Sequence, residues 1–183
     1  MEQTRLTDIK NTDHPLFGAA WRLYKTSFPP EERRRLYSQK KIMNHPLYHF
    51  EAVTDGDSLV GIILWWGFAG VRYIEHLATS PHLRGKGYGR RILEKFISGS
   101  AVPVLLEVEH PTTEISKRRI GFYRRTGFVL NGHAYRHPPY KKGGDYVSLM
   151  LMTYPAAITE DEAARFCRQY HPVIHEFRPA SRP

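Results

Sequence analysis

The sequence predicts an α/β fold of the α+β kind, with helices packed on a mixed sheet. Three observations carry this. Segments with apolar residues at helical spacing are interleaved with short strand-like runs along the whole chain. Residues 48–79 read as a meander of strands joined by short turns. No repeat, low-complexity tract or linker interrupts the pattern, so the 183 residues are expected to form one domain, 1–183.

The elements follow in order. Residues 3–9 are expected as a first strand. Asp13-His14-Pro15 reads as a helix start, and Phe17, Trp21 and Tyr24 give that helix an apolar face up to Phe28-Pro29-Pro30. A second helix is expected with Glu31 and Glu32 near its positive end and Lys40 and Lys41 near its negative end. Strands at 48–54 and 59–66 flank a hairpin turn at Asp55-Gly56-Asp57. The run Val60-Gly61-Ile62-Ile63-Leu64-Trp65-Trp66 is apolar on both faces and is expected to be covered on both. A third strand, 71–79, leads into a glycine-rich turn and a helix at about 87–98 with the stripe Ile92, Leu93, Phe96 and Ile97. A strand at 102–109, a helix at about 112–126 ending at Gly127, and strands at 128–131 and 146–154 follow. Thr159-Glu160-Asp161-Glu162 is a capping-box signature that opens a C-terminal helix with Ala163, Phe166, Cys167 and Tyr170 on its apolar face. The core is thus expected over about 3–154, with a helical extension over about 155–183.

Bulk composition narrows the function. A single cysteine allows no internal disulfide and no cysteine-built zinc site, and a lone thiol fits a cytoplasmic protein. The longest apolar stretch is too short to span a membrane, and the first ten residues lack a signal-peptide core, so no membrane partner is expected. The histidines show no metal-ligand spacing, and no metal is expected. The net charge of +9 attracts polyanions, whether nucleic acid, anionic lipid or a phosphorylated cofactor, without choosing among them.

The turn Arg84-Gly85-Lys86-Gly87-Tyr88-Gly89 narrows that choice. Alternate glycines let the backbone curl and approach a ligand, and its amides can converge as a phosphate nest at a helix N-terminus. Arg84, Lys86, Arg90 and Arg91 add charge. The stretch fits neither the P-loop nor the dinucleotide fingerprint. Alone, it is as compatible with a plain strand-to-helix turn.

The string R-x-x-G-x-G, met by Arg84, Gly87 and Gly89, resembles the cofactor loop of the GNAT family of N-acetyltransferases. The stretch 73–81 before it resembles that family's fourth strand, and Ile120-Gly121-Phe122-Tyr123-Arg124-Arg125-Thr126-Gly127-Phe128 resembles its second marker, F-Y-x-x-x-G-F. The resemblance is strong over 72–130 and weaker elsewhere. It implies a mostly antiparallel sheet splayed between the strands at about 72–79 and 103–109. It also implies acetyl-CoA as co-substrate, seated on Leu77, Ala78, Thr79, Arg84, Gly85, Lys86, Gly87, Tyr88, Gly89 and Arg90, and an amine as acceptor. Ser116 stands where the family often carries an asparagine toward the cofactor. Tyr123 matches the family's general acid. Glu75 is the candidate base, on the strand face of Tyr73 and Leu77 with His76 opposite, and Glu107 and Glu109 are its rivals.

The basic loop 131–145 is expected either to wall the acceptor site, favouring an acidic or aromatic substrate, or to be a solvated loop. A nucleic-acid-binding module is the first rival reading, since Arg33-Arg34-Arg35 and Lys117-Arg118-Arg119 can contact phosphates, yet no helix-turn-helix, RNP or zinc-finger signature accompanies them. A non-catalytic acyl-CoA sensor is the second. A homodimer is left open.

Overall fold

The structure is a computed structural model that describes residues 4–177. Residue 3 of the first expected strand and residues 178–183 of the C-terminal extension lie outside the described residues.

One sheet organises the fold. Its strands are β1 (Arg5–Asp8), β2 (Tyr48–Asp55), β3 (Ser58–Gly67), β4 (Arg72–Thr79), β5 (Val104–Val108), β6 (Val129–Leu130), β7 (Tyr135–His137) and β8 (Val147–Tyr154). They run in the order β1-β2-β3-β4-β5-β8-β6, with β7 also paired to β8. Every pairing is antiparallel except β4 with β5, which is parallel.

Among the described residues, five α-helices cover the sheet: α1 (Phe17–Ser27), α2 (Leu36–Ile42), α3 (Tyr88–Ser98), α4 (Glu114–Arg125) and α5 (Glu160–Ile174). The continuous apolar run of β3 is explained by cover on both faces. Ile62, Leu64 and Trp66 join a core with Phe17, Trp21 and Tyr24 of α1 and Phe166 of α5. Ile63 joins a second core with Ile92, Leu93 and Phe96 of α3 and Ile120 of α4. The capping boxes at Thr113 and Thr159 satisfy orphan amides at the starts of α4 and α5. No described helix is long and apolar enough to cross a membrane.

Three elements differ from expectation. Helix α1 starts at Phe17, because local side-chain bonds hold the preceding segment in turns: Asn11 Oδ1 accepts from the Asp13 amide and His14 Nδ1 from the Leu16 amide. Glu31 and Glu32 do not open α2. They sit in a separate 3-10 turn, Pro30–Glu32, after which the chain extends through Arg33 and carries Arg34 inward. Residues 131–145 also hold a strand, β7, which the reading as a loop missed.

Candidate active site

The parallel pair β4–β5 is short. Arg72, Tyr73 and Ile74 pair with Val104, Leu105 and Leu106, and the pairing stops there although both strands continue. The expected splay is present. Past Ile74, the edge of β4 has lost its partner, and polar backbone groups there await one.

Two cavities open at the splay. The first, about 570 Å³, is lined by Leu77, Thr79, the turn from Arg84 to Arg90 apart from Lys86, and Arg118, Arg119, Phe122 and Tyr123 of α4. In the turn, Gly85 and Gly87 have φ of +78° and +79°, a region that suits glycine. The amides of Arg84 and Lys86 donate to the carbonyls of Pro81 and Leu83, so they are taken up by the turn itself. The amides of Gly85, Gly87, Tyr88, Gly89 and Arg90 donate to no backbone carbonyl among the described residues. Amides left open at the positive end of a helix can receive an anion. Arg84 and Arg90 line the cavity, whereas Lys86 does not.

Ser116 is not brought to either cavity. Its hydroxyl is spent on the N-cap of α4, bonded to the Thr113 amide, hydroxyl and carbonyl. This buried serine closes a capping box instead of facing either cavity.

The second cavity, about 540 Å³, lies on the other side of the splay. Leu77, Thr79, Arg84, Arg119 and Tyr123 line both cavities, so the two meet there. Tyr123 is packed between Phe122 and Phe128, and burial pushes its phenol up to about 12, with Arg119 pulling the other way. Its proton therefore stays on at neutral pH.

Glu75, Glu107 and Glu109 all line this second cavity. Their surroundings separate them. Register slips by one residue where Leu64 faces His76 and Trp65 faces Ile74, which leaves Glu75 as the extra residue of a β-bulge. Strict alternation therefore fails. Glu75 and His76 both turn toward the core of α1 and α5, where His76 stacks on Tyr24 and Phe28, while Leu77 packs in the opposite core. The expected grouping of Glu75 with Leu77 against His76 is thereby corrected.

Glu75 is locked. Arg34 donates to Oε2 at 2.6 Å, Trp66 Nε1 donates to the same oxygen at 3.2 Å, and the Tyr140 hydroxyl donates to Oε1 at 2.9 Å. Arg34 is itself held by the Ile174 carbonyl at 2.8 Å and lies against the rings of Tyr48, Trp66 and Tyr140. Burial works against the Glu75 charge, but Arg34 and its hydrogen bonds outweigh it and hold the carboxyl below its ordinary value.

Glu107 differs. Its Oε1 accepts from the Tyr135 hydroxyl, and its Oε2 lies 2.8 Å from His137 Nδ1. Its side chain keeps 11% exposure, whereas that of Glu75 has 0%. Burial opposes its charge too, but His137 and Tyr135 hold it below the usual range. Glu109 is exposed and paired with Arg119 at 2.8 Å.

Residues 131–145 do wall the cavity, through His137, Pro139, Tyr140, Lys141, Gly144 and Asp145. Lys141 alone of the loop's strongly basic residues is on that wall, which also carries Glu31, Glu32 and Asp145. The lining is rich in carboxylates, so the preference for an acidic acceptor expected from the loop's charge does not follow. Sequence reasoning gave Arg34 and Trp66 no role beside Glu75, and it placed Tyr135, His137 and Tyr140 only within a loop expected to wall the site, not as partners of Glu75 and Glu107. One signal was present: in Tyr135-Arg136-His137 two polar-tipped rings alternate with a charge, the period of a strand.

Comparison with known proteins agrees with this geometry. Residues 46–130 match the family described as acetyltransferase (GNAT) domain. A GNAT-family protein from Bacteroides thetaiotaomicron is 35% identical, with 93% of this chain and 98% of that one aligned at a TM-score of 0.88. The chain belongs to the GNAT acetyltransferase family. Within the GNAT fold, the ribosomal-protein-S18-alanine N-acetyltransferase of Escherichia coli aligns at a TM-score of 0.61 and 17% identity, over 87% of this chain and 97% of that one. An acetyltransferase of Bacillus subtilis in complex with CoA aligns at 0.56 and 13%, over 85% and 100%. No match was found among curated proteins. Among the described residues, no group of three or more His, Cys, Asp or Glu could hold a metal ion.

Proposed function

We propose that this chain transfers the acetyl group of acetyl-CoA to a primary amine by direct attack. The observation that supports this best is the meeting of two cavities at Leu77, Thr79 and Tyr123, one rimmed by the glycine-rich turn and the other rich in carboxylates.

In this reading the nest amides and Arg84 and Arg90 hold the pyrophosphate, and the pantetheine amides take the place of the missing strand beside β4. The Leu77 amide faces the thioester oxygen as negative charge grows on it. The amine nitrogen bonds to the carbonyl carbon, the C–S bond breaks, and Tyr123 gives its proton to the departing thiolate.

The amine must also lose a proton, since alkyl amines titrate near ~10. Glu107 is the base we propose, in place of Glu75. It keeps exposure to the cavity and spare lone pairs, whereas Glu75 is fully buried and tied by three donors.

The test is release of free thiol from acetyl-CoA across a panel of amines and peptide N-termini. Turnover with at least one acceptor is expected. Glu107→Gln and Tyr123→Phe should each lower kcat by about a hundredfold with acetyl-CoA affinity nearly unchanged. Tight binding of acetyl-CoA with no turnover on any amine would instead make the chain a sensor.

A further inference from the structure

The proposed base has more wiring than a base needs. Behind Glu107, on the side away from the cavity, the Tyr135 hydroxyl bridges two groups. It donates to Glu107 Oε1 and lies 2.8 Å from His171 Nε2. Glu107 lines the cavity, while neither Tyr135 nor His171 lines it. Tyr135 is buried at 4% exposure, and His171, in the last turn of α5, is only partly buried. A continuous hydrogen-bonded file therefore runs from the cavity wall, through the protein, to a histidine at the outer helix.

We propose that Tyr135 and His171 form a proton exit: the proton that Glu107 takes from the acceptor amine leaves through the Tyr135 hydroxyl to His171 and from there to water. This deepens the acetyl-transfer reading and rests on it. The step balances. The amine N–H bond breaks and an O–H bond forms on Glu107. Once Glu107 is protonated, the Tyr135 hydroxyl turns from donor to acceptor: the Glu107 proton passes to the Tyr135 oxygen as the phenol's own proton, now directed at His171, passes to His171 Nε2. Glu107 ends as carboxylate, Tyr135 as neutral phenol and His171 as imidazolium, which then releases its proton to solvent.

Physical chemistry gives the file a purpose. Glu107 is held below its ordinary value, so it cannot keep a proton for long. An imidazole ordinarily binds a proton about two pK units more tightly than a carboxylate. The last turn of a helix also favours a cation, and His171 sits there. Burial and the Glu107 charge keep the Tyr135 phenol far from ionising, so it can hand protons on without losing its own. An acceptor filling the cavity shuts water out of that side, and the exit lies on another.

Tyr135 and His171 act through Glu107 and touch no reacting atom, so the test must separate relay from scaffold. Single-turnover rates are measured with acetyl-CoA loaded and a productive amine added. We expect Tyr135→Phe, His171→Ala and His171→Gln each to slow acetyl transfer at least about tenfold. Acceptor KM and acetyl-CoA affinity should stay within about twofold. Added imidazole should restore the His171→Ala rate and leave Tyr135→Phe slow. His171→Gln keeps a side chain that can bond Tyr135 but cannot carry a proton, so it stays informative if His171→Ala fails to fold. Wild-type rates in His171→Gln and Tyr135→Phe, with Glu107→Gln slow, overturn the exit alone. A wild-type rate in Glu107→Gln, or no transfer to any amine by the parent chain, overturns the base and the exit together.

Discussion

Gly87 sits at φ +79° with open space where a β-carbon would stand, so a substitution there meets strain rather than a clash. A β-branched residue in the left-handed region costs about 1–2 kcal/mol or more, and the turn relieves it by uncurling. Gly87→Val is expected to weaken acetyl-CoA binding at least about tenfold in calorimetry while the melting temperature moves only a few degrees. His76 makes a different prediction. Burial pushes its pKa from the model-compound 6.5 down to about 4, and its Nε2 bonds the Glu32 carbonyl at 2.8 Å. A folded-state pKa below the unfolded one gives stability that is present above 6.5 and lost as pH falls toward 4, worth about 3 kcal/mol. His137 runs the other way: burial opposes its charge, Glu107 outweighs burial, and its raised pKa contributes stability that is already complete below 6.5. Urea unfolding between pH 6.5 and 4.5 should therefore show falling stability, and His76→Gln should flatten that slope.

Among the elements, those with local causes were legible in the sequence. The stripe Ile92, Leu93, Phe96 and Ile97 appears as the buried face of α3, and Thr159 with Glu162 closes the cap of α5. The two-sided burial of β3 followed from its uninterrupted apolar run. The splay came from resemblance, because a strand's own sequence does not say where its neighbour leaves it. The bulge at Glu75 was illegible for the same reason. It arises from the register of β4 on β3, a pairing between distant residues, and one extra residue reverses which side chains share a face. Arg34 was hidden in a charge run that looked solvated. Only the extended backbone after Pro30–Glu32 carries it inward to Glu75 and to the end of α5. Strand β7 was hidden by its brevity and by the prolines beyond it, and with it went the partners of Glu107.

At the scale of the molecule, the wall of the carboxylate-lined cavity is assembled from segments far apart in sequence: the turn before α2, strands β4 and β5, and the segment around β7. Helix α5 is part of this assembly, since Ile174 holds Arg34 and His171 reaches Tyr135. A chain with net charge +9 thus encloses a cavity lined with carboxylates, and its charge sum is a poor guide to its acceptor. The two cavities that meet at Tyr123 have a kinetic corollary. In the proposed acetyl transfer, donor and acceptor approach from separate mouths, and among the described residues no cysteine or serine lines both cavities. Direct attack, as proposed above, requires both partners to be seated before either product departs. Double-reciprocal plots at several fixed acceptor concentrations should intersect, whereas parallel lines would reveal a covalently charged protein waiting between two half-reactions.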